Sequence, residues 1–211
     1  MTNKIDREIF LNRYPNLINI FPTIDNAIDE IVHRFQKKGK LLVCGNGGSA
    51  SDAQHIVAEL QKDFLIKRFL KEKDKSRFNE VEDRIYLCQN LRYGCAAISL
   101  VSENSLITAI SNDSSYDISF AQQVWALGTC NDVFLGISTS GNSRNVVLAA
   151  QVAKAIGMKT IGLAGAYPET RLQKYSDFYI NVPEVETYKV QELHLPLYHY
   201  LCQQIEKNLF G

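Results

Sequence analysis

The sequence has no surplus of either charge. Lysines and arginines number 23, aspartates and glutamates also number 23, and the formal net charge over 211 residues is zero. That balance leaves no electrostatic footprint for nucleic acid or for an anionic membrane. Long apolar runs are missing too: none approaches the roughly 18 residues that a membrane span requires. The opening "MTNKIDREIF" lacks the apolar stretch of a secretory leader. A cytoplasmic protein with no membrane or nucleic-acid partner is therefore expected. Cysteine is sparse and scattered. The five (Cys44, Cys88, Cys95, Cys130, Cys202) are odd in number and include no C-x-x-C pair, which argues against a disulfide framework or a thiolate zinc site. There is no internal repeat, no low-complexity tract, and no glycine-rich turn followed by G-K-[ST], so a Walker phosphate loop is excluded.

What is present is a strongly patterned globular chain. Hydrophobic residues make up 45%, enough for a substantial core, and the length suits a single domain over 1–211. Residues 4–14 and 23–38 read as N-terminal helices within 1–40. In the second, Ile24, Ala27, Ile28, Ile31, Val32 and Phe35 recur at three- and four-residue steps. Thr23 is placed to cap it, and Gly39 ends the pattern. Five short apolar runs follow: "LLVC" at 41, "CAAISLV" at 95, "DVFLGIS" at 132, "KTIGLAG" at 159 and "DFYINV" at 177. Helical stretches near 49–64, 104–127, 142–156 and 168–174 separate them. Continuously apolar strands alternating with helices predict an α/β fold with a parallel sheet covered on both faces. A last helix over about 187–209 carries an apolar surface wide enough to predict burial, in an oligomer contact among other places. Residues 65–92 read as a helical insertion, with Phe69, Phe78, Val81, Ile85 and Leu87 available to pack. Its basic stretch "LIKRFLKEKDKSR" reads as a solvated face, because acidic residues are interleaved.

Three constellations bear on chemistry. The first is "LLVCGNGGSASDAQHIVAEL", where Gly45, Gly47 and Ala50 fit the dinucleotide fingerprint G-x-G-x-x-G/A. An acidic residue ending a second strand about twenty positions later should accompany that fingerprint. Here the count falls on Asp63 to Leu65, at the end of a helix, and the next strand comes only near 95, so the turn does not read as a nicotinamide site. The second is "GISTSGNSRN", where Ser138, Thr139, Ser140 and Ser143 crowd the junction of a strand and a helix. Free backbone N–H groups and the helix dipole favour an anion there. One capping residue would account for a single hydroxyl, not for four. The third is a pair of spacings. His55 and Glu59 stand at i, i+4 and share a helix face, as an ordinary surface pair also would. Gln191 and His199 lie eight apart, near one face of the last helix. The four could converge on one divalent metal with nitrogen and oxygen ligands. His33 and His194 read as structural.

Together, "CGNGGSASDAQHIVAEL", "ISTSGNSRNV" and "VQELHLPLYH" resemble the sugar isomerase (SIS) domain family, and within it the phosphoheptose isomerase branch. The resemblance implies a three-layer αβα sandwich with a five-stranded, flavodoxin-like parallel sheet, assembled as a homotetramer. It implies that Ser138, Thr139, Ser140 and Ser143 bind the phosphate of a sugar phosphate. Asn46, Gly47, Gly48 and Ser49 would contact the sugar, together with Asn112 and Asp113 of "SND". His55, Glu59, Gln191 and His199 would hold zinc, with Glu59 and His199 also the acid–base pair and Gln191 within reach of substrate. The implied reaction is aldose–ketose isomerisation through an enediol, most specifically of sedoheptulose 7-phosphate.

Departures from the family pattern are visible. The insertion at 65–92 is long, Tyr188 stands where some members carry an acidic residue, and Pro196 lies between Gln191 and His199, where it removes a helix N–H. Other functions share these turns: a non-catalytic relative that binds the bacterial replication initiator, a phosphosugar sensor, and isomerases of other phosphosugars. The four ligand-like positions favour the enzyme.

Overall fold

The computed structural model describes residues 4–211. Helix α1 (Lys4–Arg13) and a 3₁₀ turn (Pro15–Ile20) lead into α2 (Phe21–Gln36). Then come β1 (Leu41–Cys44), α3 (Gly48–Gln61), the short helices α4 (Glu72–Lys75) and α5 (Arg84–Asn90), β2 (Ala97–Ser99), α6 (Asn104–Asp113) and α7 (Ser119–Leu127). The chain ends with β3 (Val133–Ile137), α8 (Arg144–Ala155), β4 (Lys159–Gly165), α9 (Arg171–Lys174), β5 (Phe178–Val182) and α10 (Thr187–Phe210). All five strands are parallel, in the order β2-β1-β3-β4-β5, which is the flavodoxin-like order. Successive strand residues feed opposite faces. Leu41 and Val43 join a core with α2, α3 and α10, while Leu42 and Cys44 join one with α7 and α8. The expected three-layer sandwich is the observed one.

Several local expectations are corrected. Helix α2 starts at Phe21 without using Thr23 as its cap, because the 3₁₀ turn runs directly into it with Pro22 in the first turn, where a missing N–H does no harm. The helix expected over 104–127 is two helices separated by a turn. The polar run "SNDSSYD" favours local side-chain bonds over the helix, and the Ser115 hydroxyl accepts from the Asp117 N–H at 3.1 Å. Residues 65–92 are helical only in α4, α5 and a 3₁₀ turn (Ser76–Phe78). Phe69, Val81 and Ile85 stay exposed rather than packing. The basic stretch is not uniformly solvated either, since Arg68 is buried among it. The wide apolar surface of α10 is covered by its own chain: Val190, Leu197, Tyr198, Leu201, Cys202 and Ile205 are buried within it. The helix continues through Pro196. Among the described residues every cysteine is unpaired, and no helix is long and apolar enough to cross a membrane.

Candidate active site

In an open parallel sheet, a ligand crevice forms at the carboxyl ends of neighbouring strands whose connections leave in opposite directions. Here those strands are β1 and β3, and the two motif turns follow them. Gly47 adopts φ 55°, a backbone region costly to any residue with a Cβ. At Gly45 a Cβ would lie 2.5 Å from the Ser49 carbonyl oxygen. These two glycines therefore serve a tight strand-to-helix turn. The turns are tied together by a reciprocal amide pair. Asn46 Nδ2 donates to Asn145 Oδ1 at 2.8 Å, and Asn145 Nδ2 donates to Asn46 Oδ1 at 2.9 Å. The Tyr116 hydroxyl also donates to Asn46 Oδ1, at 2.9 Å.

Between the turns lies a cavity of about 330 Å³. Asn46, Gly47, Gly48 and Ser49 line one side, Ser138, Thr139 and Ser143 the other, and Gln191 closes it. The Ser138 hydroxyl donates to Ser143 Oγ at 2.9 Å, so two hydroxyls are held together at the start of α8. Ser140 is not among the lining residues; its hydroxyl accepts the Asn142 N–H at 3.2 Å. Asn112 and Asp113 are not lining residues either. They sit exposed at the end of α6, where Asn112 Nδ2 donates to Asp113 Oδ1 at 2.9 Å.

The other predicted residues meet farther along α3 and α10. These helices run side by side in the same direction: Gly48 faces Gln191, His55 faces Tyr198 and His199, and Ile56 faces Cys202. His55 Nδ1 is 3.0 Å from the Tyr198 hydroxyl. That contact turns His55 Nε2 towards Glu59 Oε1 at 3.3 Å and His199 Nε2 at 3.5 Å. The second carboxylate oxygen of Glu59 accepts from Lys62 Nζ at 2.6 Å. His199 also borders a separate cavity of about 370 Å³, beside Arg13 and Tyr14.

Burial shapes the protonation of this cluster. His199 is held below the usual imidazole range by burial and by His55, against the upward pull of Glu59. Burial raises Asp52, although a hydrogen bond with Tyr198 works the other way. Burial and Asp52 push the Tyr198 hydroxyl up in turn. Neutral His199 and an un-ionised Tyr198 are thus the forms at neutral pH.

Zinc binds histidine nitrogen and carboxylate oxygen at about 2.0–2.2 Å in a tetrahedron, whose edges are then about 3.4 Å. The two donor separations at His55 Nε2, 3.3 and 3.5 Å, match such edges. With Nδ1 facing Tyr198, His55 has the outer-shell support typical of metal-ligating histidines. Among the described residues no group of three or more His, Cys, Asp or Glu side chains is placed to hold a metal ion. The fit therefore lies in donor type and in these two edges, and it involves His55, Glu59 and His199. Gln191 is drawn instead to the glycine turn, where its amide packs on Gly48. Tyr198, Lys62, Asn145 and Tyr116 were not singled out from sequence. Each acts through contacts with residues distant in the chain or one helical turn away, and no motif marks such contacts.

The fold and the paired turns are those of a SIS domain, and the family model for that domain matches residues 19–74 and 87–165. The break falls inside the 65–92 insertion. A phosphoheptose isomerase from Synechocystis is 41% identical over 188 residues, covering 89% of this chain and 84% of that one. Among solved structures, a phosphoheptose isomerase from Francisella tularensis superposes with TM-score 0.74 at 30% identity, covering 97% and 99% of the two chains. One from Neisseria gonorrhoeae gives 0.72 at 31%, covering 94% of each. The chain belongs to the phosphoheptose isomerase branch of the SIS domain family.

Proposed function

We propose that this chain is an aldose–ketose isomerase that converts D-sedoheptulose 7-phosphate to D-glycero-D-manno-heptose 7-phosphate. Its relatives' activity supports this, and one observation carries it to these residues: the parallel register of α3 and α10. Each helix has one end at the anion-binding turns, through Gly48 and Gln191. Each has a later segment in the His55–Glu59–His199 cluster. A substrate can be gripped at one end and reacted at the other.

The chemistry follows from the donors. The backbone N–H groups and hydroxyls of the Ser138–Ser143 turn bind the phosphate, and this distant grip orients the sugar. Glu59 takes a proton from C1 of the ketose and returns it to C2. Its carboxylate is steadied by Lys62, with Oε1 left facing His55. His199, neutral at working pH, shuttles the proton between the two oxygens as the enediol forms and collapses. His55, Glu59 and His199 would hold a zinc ion, which when bound polarises the carbonyl. Tyr198 keeps His55 oriented for that role.

Glu59→Gln keeps the shape and a donor oxygen but removes the basicity. Turnover should fall at least about a hundredfold, while binding of the sugar phosphate persists. Wild-type turnover in a folded, ligand-binding Glu59→Gln protein would refute the assignment. If the unmodified chain binds phosphosugars and isomerises none, with or without added zinc, a binding role replaces the enzymatic one. Assembly into a homotetramer is part of the same reading. It is supported by exposed apolar side chains that the chain does not cover itself, among them Ile85, Tyr86 and Trp125. The five unpaired cysteines suit a reducing, cytoplasmic setting.

A further inference from the structure

Arg68 and Glu206 form a fully buried ion pair, each side chain 0% exposed. Arg68 Nε and Nη2 both stand 2.7 Å from Glu206 Oε1. Glu206 also accepts three successive backbone N–H groups: Phe64 at 2.9 Å, Leu65 at 2.7 Å and Ile66 at 3.1 Å. The other side of the guanidinium faces α3. Nη1 donates to the Leu60 carbonyl at 2.8 Å and Nη2 to the Glu59 carbonyl at 3.3 Å. These two carbonyls belong to the last turn of α3, whose acceptors have no partner within the helix. A cation is favoured there by the helix dipole as well.

The partners of this pair are telling. Arg68 caps the very residue whose side chain is the carbon base. Glu206 lies on α10 seven residues beyond His199, close to two helical turns and so near the same face. The ion pair therefore joins the end of α3 to α10 just beyond the acid–base pair. We propose that Arg68 and Glu206 are positioning residues that fix Glu59 relative to His199, setting the rate of proton transfer without touching the sugar. The proposal rests on the reading of Glu59 and His199 as acid and base. A buried pair is seldom a net gain in stability over apolar side chains, so its value here lies in geometry. Effective proton transfer tolerates little misplacement: about 1 Å can cost a hundredfold. The serine turn that grips the phosphate is built on β3 and α8, to which neither residue of the pair belongs.

The test uses two variants of the full chain. Arg68→Lys keeps the charge opposite Glu206 but loses the fork that reaches both carbonyls. Arg68→Met with Glu206→Gln removes both charges while keeping an amide oxygen for the backbone N–H groups. Each is assayed for kcat, KM and bound sedoheptulose 7-phosphate per chain. The expected result is kcat per bound sugar lowered at least about tenfold, with KM within about twofold of wild type. Wild-type kcat in either folded variant overturns the proposal. So does a loss of activity matched by an equal loss of bound sugar, which is what a purely structural role would give. Glu59→Gln run in parallel separates the two readings. If it turns over normally, the acid–base assignment has failed. If it is inactive while Arg68→Lys is normal, only the clasp has failed.

Discussion

His194 shows what a buried imidazole does when nothing binds it. It is fully buried, and neither ring nitrogen makes a well-formed hydrogen bond, the Ala164 backbone offering only a loose one. Burial presses it down from 6.5 to about 4, with the Ala164 backbone pulling weakly the other way. The unfolded chain takes up this proton near pH 6.5 and the folded chain does not. The stabilisation is therefore complete above pH 6.5 and is lost as pH falls towards 4. Between pH 7.5 and 5 the loss should be about 2 kcal/mol. His194→Leu, which removes the proton acceptor and no well-formed hydrogen bond, should flatten that part of the pH dependence in urea unfolding. Tyr198 makes a contrasting case, because its hydroxyl is shared between His55, at 3.0 Å, and Asp52. If His55 holds zinc as proposed, Tyr198→Phe should lower activity by about ten- to a hundredfold, the usual effect of losing a ligand's outer-shell partner. A near-normal kcat would show that His55 needs no such support.

The two turns divide their work differently from what the motifs suggested. Gly47 is required by its backbone, so Gly47→Ala should cost about 1–3 kcal/mol in chemical denaturation. In the serine turn, Ser138 and Ser143 face the cavity while the Ser140 hydroxyl is used locally. Ser143→Ala should raise KM for the sugar phosphate more than Ser140→Ala does; equal effects would mean that the turn rearranges around the anion. These turns and the strands before them were readable from sequence because each leaves a local trace: a run of apolar residues, a glycine where φ must be positive, hydroxyls at a helix start. Asn145 left no such trace. Its partner Asn46 is 99 positions away, and an asparagine after a serine turn reads equally well as a cap. The end of α3 was opaque for the same reason. Arg68 sits in a stretch whose composition signals solvent, and only the arrival of Glu206 from 138 positions away explains its burial.

For the molecule as a whole, alternation of apolar runs with helical periodicity was enough to fix a parallel sheet covered on both sides. The order of strands came from family resemblance, since no local pattern encodes it. Of the insertion's apolar side chains, Phe78 and Leu87 are half-buried, whereas Phe69, Val81 and Ile85 face outward, and a charged segment gives no pattern that separates the two groups. The burial expected of α10 is found within the chain itself, where its apolar breadth is met by α2, α3 and the sheet. Exposed Ile85, Tyr86 and Trp125 now bear the expectation of assembly. Light scattering should give a mass near four chains, and a dilution-stable monomer would contradict it. Replacing Ile85 and Trp125 by serine should shift the assembly towards smaller species without unfolding the chain.

The parallel run of α3 and α10 also makes the pair a gauge. From Gly48 to His55 is seven residues, a helical rise of about 10 Å, and that distance is built into rigid elements rather than loops. If the Ser138–Ser143 turn holds the phosphate and Glu59 meets the reacting carbon, as proposed, a phosphosugar with too few carbons should reach one of them but not both. Such compounds should act as competitive inhibitors that are bound and left unchanged. Across a series of ketose phosphates of increasing carbon number, kcat should rise abruptly once the chain is long enough to span the gauge, while affinity, set by the phosphate, changes little.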